Sequence, residues 1–252
     1  MANPPFDRPI AHRGLHDKGR GIIENSHSAF AAAIERGFGI ECDLQLSADG
    51  EAIVFHDNNL ERLVGRTGLV RSRLSDELIV TPLTGSSTAD CPQTFEQMLA
   101  QIAGAVPLVV EVKHQANAID TDALASRVAE CVRGYQGPLV VKSFDPHMLI
   151  ALRNAGYSGL LGIITYGYDK PEWYGDMPAR TRFVLRHLLH YPRSRFNFIS
   201  CERSALGLPA VRLFKALGFR VMSWTIRSRG EAAEARQHAD QIVFEGFDPD
   251  AR

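Results

Sequence analysis

Six apolar runs in this chain close on ionisable, hydroxyl or indole groups: IAHR at 10–13, GIECD at 39–43, IVFHD at 53–57, LVVEVK at 108–113, VVKSF at 140–144 and VMSWT at 221–225. That one-sided habit constrains the fold more than any other feature. In a parallel barrel the C-terminal ends of all strands open on one rim, where active sites are built, so residues far apart in sequence converge there.

The order of elements agrees. Candidate strands are PIAH, GIECDLQ, AIVFH, LVVEVK, LVVKS, GLLGIIT, FNFIS, RVMSW and QIVF. Helical spacing falls between several of them, at 26–36, 94–103, 121–134, 146–155, 209–217 and 228–238. Strands rich in Val, Ile and Leu without polar alternation are buried on both faces, as in a parallel sheet covered by helices. The expected fold is an α/β TIM (β/α)8 barrel, one domain over 1–252, with a short insertion at 57–93 after the third strand. Nine candidates exceed eight staves, so FNFIS or QIVF is expected to be accessory. An open doubly wound sheet is the alternative, but no G-x-G-x-x-G or P-loop motif follows any strand.

Composition narrows the function classes. Lys and Arg total 28 against 29 Asp and Glu, so no basic excess exists to hold a nucleic acid. Apolar runs of four to six residues fall far short of the roughly 20 of a membrane span, and the first 14 residues lack the basic and apolar regions of a leader. A cytoplasmic location is expected, and a homo-oligomer is compatible with the sequence. The four cysteines, Cys42, Cys91, Cys131 and Cys201, have no metal-ligand spacing and read as free thiols.

The rim residues carry the chemistry. Alternation along a strand sends Glu41 and Asp43 to one face. Glu111 and Lys113 repeat that spacing on another strand. Three buried carboxylates need compensation, because desolvation and mutual repulsion otherwise protonate some of them. A divalent metal supplies it, and all-oxygen ligands select a hard cation, Mg²⁺ or Ca²⁺. Three carboxylates against one such ion, Arg13 and Lys113 leave a single positive charge, which suits a phosphodiester. Cleaving one requires a base and an acid, and His12 and His56 are placed to divide those tasks.

With HRG at 12–14, EN at 24–25, ECD at 41–43, HD at 56–57, EVK at 111–113, SF at 143–144 and WT at 224–225, the chain resembles the cytoplasmic glycerophosphodiester phosphodiesterases from Ile10 to about Thr225. The resemblance implies a phosphodiesterase barrel acting on a small-molecule phosphodiester. It implies metal binding at Glu41, Asp43 and Glu111, with Glu24 at or beside the ion. It further implies acid–base work at His12 and His56, phosphate binding at Arg13 and Lys113, and an alcohol pocket lined by Trp224. In such enzymes a glycerol hydroxyl attacks phosphorus first and water then opens the cyclic phosphate. Two departures stand out: the 57–93 segment is short, with a Ser/Thr-rich loop lacking obvious helix, and FEGFDPD replaces the usual Thr-Asp-x-Pro turn, leaving the roles of Glu245 and Asp248 open.

Plainer readings compete at single positions. Arg13 could pair a core carboxylate, Trp224 could fill the core, and Ser143 and Phe144 could be packing. The basic stretch at 179–195 reads as a solvated helix face before it reads as a membrane or partner contact. The competing functions are a barrel lyase acting on phospholipids and a non-catalytic metal or phosphate binder. Glycoside hydrolysis would leave both histidines unexplained.

Overall fold

A computed structural model describes residues 6–251. The ends of the 1–252 domain expectation, including the first five of the 14 residues read for a leader, therefore lie outside the described residues. Eight parallel strands close on themselves: β1 (Ile10–Ala11), β2 (Gly39–Leu46), β5 (Leu108–Val112), β6 (Leu139–Ser143), β7 (Leu161–Thr165), β8 (Phe198–Glu202), β9 (Arg220–Ile226) and β10 (Gln241–Phe244). β1 pairs with both β10 and β2, which seals the barrel. Two further strands, β3 (Ala52–Val54) and β4 (Gln93–Thr94), extend from β2 as an antiparallel annex.

This corrects the expected surplus strand. FNFIS and QIVF are both staves, as β8 and β10, and AIVFH is the extra strand. The reason is loop length. Only residues 47–51 separate β2 from β3, whereas a parallel crossover needs a dozen residues or more.

All six helices expected from spacing are present; five start at side-chain caps, and the sixth, Pro209–Ala216, starts at a proline in its first turn. Ser26, Thr94, Asn117, Asp145 and Ser228 each accept a backbone N–H of the first turn, and Thr94 with Gln97 forms a capping box. The helices pack on the outer barrel face, where Phe30, Phe95, Leu124 and Leu149 are fully buried. Inside the barrel, Ile10, Val109, Val140, Phe198, Met222 and Val243 form a separate apolar plug. Gly162 belongs to that plug by omission: a Cβ there would lie 2.3 Å from the Phe198 ring.

The 57–93 segment contains more helix than its composition suggests, in short turns at Glu61–Val64, Val70–Ser72 and Ser75–Leu78. They are held by their own small core of Ile23, Ile53, Phe55, Leu60, Leu63, Val70, Leu78 and Leu83. In the basic 179–195 stretch, Leu185 and Leu188 are buried, while Arg180, Arg193 and Arg195 are exposed together with Phe183 and Leu189. No described helix is long and apolar enough to cross a membrane.

Candidate active site

Register explains how the charged groups meet. Asp43 on β2 lies beside Glu111 on β5, and Glu111 beside Lys142 on β6, so all three project from one row onto the plug. Glu41 sits one alternation below Asp43 on the same face. One carboxylate oxygen from each of Glu41, Asp43 and Glu111 lies within 4.8 Å of the other two, and all three residues are buried. Three converging hard oxygens fit a divalent cation of the Mg²⁺ or Ca²⁺ type.

The protein's own cations surround this cluster. Lys113 Nζ lies 2.7 Å from Asp43 and 2.5 Å from Glu111. Lys142 Nζ lies 2.9 Å from Glu41 and 3.9 Å from Glu111, with its side chain only 3% exposed. Burial works against the charged form of Glu41, yet Lys142 and His12 hold its carboxyl below the ordinary value. Burial likewise opposes ionisation of Asp43, but Lys113, His56 and Arg13 hold it well below the usual carboxylate range. Lys113 is kept charged against its own burial by Asp43 and Glu111.

His12 follows β1 directly. Its Nδ1 lies 2.8 Å from Glu245 Oε2, just past β10, and its Nε2 is 4.0 Å from Glu41. The hydrogen bond to His12 is the main reason the Glu245 carboxyl falls to about 2. His56 reaches the rim differently from the expected stave end. β2 runs beyond the barrel, and the antiparallel β3 brings the chain back, with Phe55 N donating to Asp43 O at 2.9 Å. His56 Nδ1 then lies 2.6 Å from Asp57. Burial is the largest influence on its imidazole and pushes its pKa down, against the pull of Asp43.

Arg13 and Asn25 complete the β1 side. Both adopt left-handed backbone, with φ of 57° and 53°, a conformation uncommon for non-glycine residues, though asparagine adopts it more readily than most. Asn25 N donates to Arg13 O, and the Asn25 amide bonds Asp43 twice, to Oδ2 at 2.9 Å and from its backbone N at 3.3 Å. Arg13 lies 2.6 Å from Glu24 and 3.4 Å from Asp43. Glu24 also receives Arg62, and despite burial these partners lower its carboxyl to about 2. Glu24 is not among the three mutually close carboxylates; Arg13 and Arg62 take its oxygens.

A cavity of about 720 Å³ opens over these groups, lined by His12, Arg13, Asp43, His56, Glu111, Lys113 and Lys142. Its opposite wall is aromatic, where Trp224 stands on β9 with its indole N–H donating to Ser200 O at 3.1 Å. Of the residues singled out in the sequence, Glu24 alone is missing from the cavity lining or the carboxylate cluster. Lys142 and Asn25 are members to which sequence reasoning gives no role, and Glu245 is one whose role it leaves open. Lys142 has a signal, a cation at the end of an apolar run, Asn25 stands in the EN motif, and Glu245 follows the QIVF run in the divergent FEGFDPD segment, with nothing local to tie it to His12.

A sequence model of the glycerophosphoryl diester phosphodiesterase family matches residues 12–245. The chain belongs to this family. A glycerophosphodiester phosphodiesterase of Caldanaerobacter subterraneus is 39% identical over 70 residues, which are 27% of this chain and 28% of that protein's length. Glycerophosphodiester phosphodiesterase 1 of Bos taurus is 25% identical across 93% of this chain and 76% of its own. Among solved structures, a phosphodiesterase of Oleispira antarctica in complex with the product sn-glycerol 3-phosphate superposes with a TM-score of 0.77 at 19% identity, covering 94% of this chain and 92% of that one. A Silicibacter pomeroyi structure superposes with a TM-score of 0.75 at 20% identity, covering 96% and 90%. At such identities the structural likeness speaks for the fold.

Proposed function

We propose that this chain is a metal-dependent glycerophosphodiester phosphodiesterase that releases an alcohol and sn-glycerol 3-phosphate, working as one barrel domain with 57–93 as its cap. The observation that carries the reading is the placement of two carboxylate-held histidines, His12 with Glu245 and His56 with Asp57, around a single cluster of three carboxylates and two lysines. Membership of the family and the names of its relatives agree with it.

Glu41, Asp43 and Glu111 would hold Mg²⁺ or Ca²⁺, with Glu24 beside them. Such an ion, when bound, withdraws charge from the phosphate's non-bridging oxygens. Lys113 and Arg13 bind the same oxygens and fix the phosphorus for in-line attack. Each histidine has its Nδ1 engaged by a carboxylate, which leaves Nε2 for proton transfer. His12 takes the proton of the vicinal glycerol hydroxyl as its oxygen bonds to phosphorus. His56 gives a proton to the departing alkoxide as the other P–O bond breaks. Water then opens the cyclic phosphate with the roles exchanged. The lowered His56 pKa favours the neutral base of the second half and disfavours the protonated acid of the first.

The test is a panel of glycerophosphocholine, glycerophosphoethanolamine, glycerophosphoglycerol and bis-p-nitrophenyl phosphate, run with Mg²⁺, Ca²⁺ or EDTA. Metal-dependent release of sn-glycerol 3-phosphate from the glycerol esters is expected. No turnover of any glycerol ester with either metal would refute the reading.

A further inference from the structure

The aromatic half of the cavity is built from parts that the phosphate chemistry does not use. Trp173 stacks on Trp224, with centroids 5.9 Å apart and planes 18° from parallel, and meets Tyr166 edge-on at 5.3 Å. Phe144 meets Trp224 in a T-shaped contact at 5.6 Å, and Tyr168 stacks on Tyr166 at 4.0 Å. Among these rings stands one buried carboxylate, Glu202, at the end of β8. Its Oε2 is taken by Ser204, whose backbone N–H donates at 3.0 Å. Its other oxygen, Oε1, faces Lys170 Nζ at 3.5 Å, and the same ammonium lies 4.1 Å from the centre of the Trp173 ring.

A cation thus already rests between an indole face and a carboxylate, in a cavity continuous with the catalytic groups. Ring faces and a buried carboxylate attract positive charge and repel negative charge. The other cations at this end have partners of their own, Arg203 with Glu231 at 3.4 Å and Arg227 with Glu245 at 3.5 Å. Lys170 is about one-third exposed, so its pairing with Glu202 is weak and readily given up. A lysine ammonium is also strongly hydrated, whereas a quaternary ammonium has no N–H groups to strip of water.

We propose that this half of the cavity is a subsite for a cationic leaving alcohol, with Trp173, Trp224 and Tyr166 around a quaternary ammonium group and Glu202 as its counter-charge. The proposal rests on the phosphodiesterase reading and deepens it. Trp173 and Glu202 then determine specificity, and Lys170 is the internal cation that the substrate displaces.

The test compares glycerophosphocholine with its neutral carbon isostere, the 3,3-dimethylbutyl ester, using the metal-loaded full chain. The expected kcat/KM ratio is about ten-fold in favour of choline, falling to two-fold or less in both Trp173→Leu and Glu202→Gln. Binding of free choline, followed by calorimetry, should weaken in the same variants. A ratio near one in the unmodified protein, with both esters hydrolysed, overturns the subsite and leaves the phosphodiesterase reading intact. Choline binding without turnover of either ester upholds the subsite and sinks the reading. Equal losses on both esters in both variants would also overturn the proposal, because they would mark the two residues as structural.

Discussion

His12 and Glu245 lie 2.8 Å apart although 233 residues separate them, one just after the first stave and the other just after the last. Closure of the barrel makes them neighbours, because β1 pairs with β10. The carboxylate fixes which imidazole nitrogen is left for chemistry. Glu245→Gln should therefore lower kcat by roughly ten-fold or more with little change in KM, because the amide supports the imidazolium poorly. Steady-state kinetics on a glycerophosphodiester checks this, and an unchanged kcat would contradict it.

The proton and metal roles separate by substitution. His12→Ala and His56→Ala should each lose about 10²-fold or more of turnover while still binding Mg²⁺ or Ca²⁺. Asp43→Ala should lose the metal itself. Titration calorimetry beside activity distinguishes the two, and a metal-replete His12→Ala protein with normal turnover would rule out the mechanism.

Lys142 is buried against Glu41, whose carboxylate has no other described lysine or arginine within 4 Å, so removing its charge strands that carboxylate in the core, while Glu111 keeps Lys113. Lys142→Met should cost roughly 3–5 kcal/mol of stability in EDTA. Excess Mg²⁺ should restore part of the loss by replacing the missing charge in the folded state. Calorimetric melting in EDTA and in Mg²⁺ reads the difference; equal destabilisation in both would show that no ion compensates the carboxylates.

His190, whose Nδ1 lies 2.8 Å from Ser194 Oγ, is held by burial to a pKa of about 4. An unfolded chain protonates near 6.5, so the unfolded state binds the extra proton between those values. The contribution of His190 to stability is complete above pH 6.5, falls as pH drops towards 4 and is flat below. Melting temperatures across that window should show a shallower slope in His190→Gln than in the unmodified protein.

Gly162→Ala places a methyl group 2.3 Å from the Phe198 ring inside the barrel. Overpacking there should cost roughly 1–3 kcal/mol. Adding Phe198→Leu should recover part of it, which a double-mutant cycle in urea would quantify.

Much of the architecture is written in local pattern. Helix starts at Ser26, Thr94 and Asp145 follow from cap chemistry, and the rim follows from polar groups ending apolar runs. The extra strand cannot be picked out by apolar content, which says nothing about direction; the five residues between β2 and β3 say it instead. The small core under residues 57–93 was also hidden, since its apolar residues are spread too thinly for a helical period and are gathered by Ile23 and Phe55 from elsewhere.

The amino-acid order alone establishes the residue types available to the site, because alternation on a strand is a covalent consequence: Glu41 with Asp43, and Glu111 with Lys113, share faces in any parallel sheet. Which distant group completes each of them is a matter of register and closure. Lys142 meets Glu41 and Glu111 through the β5–β6 register, Glu245 meets His12 through barrel closure, and Trp173 meets Trp224 across the cavity mouth. Those pairings depend on the packing of the whole barrel, and no local stretch of chain encodes them.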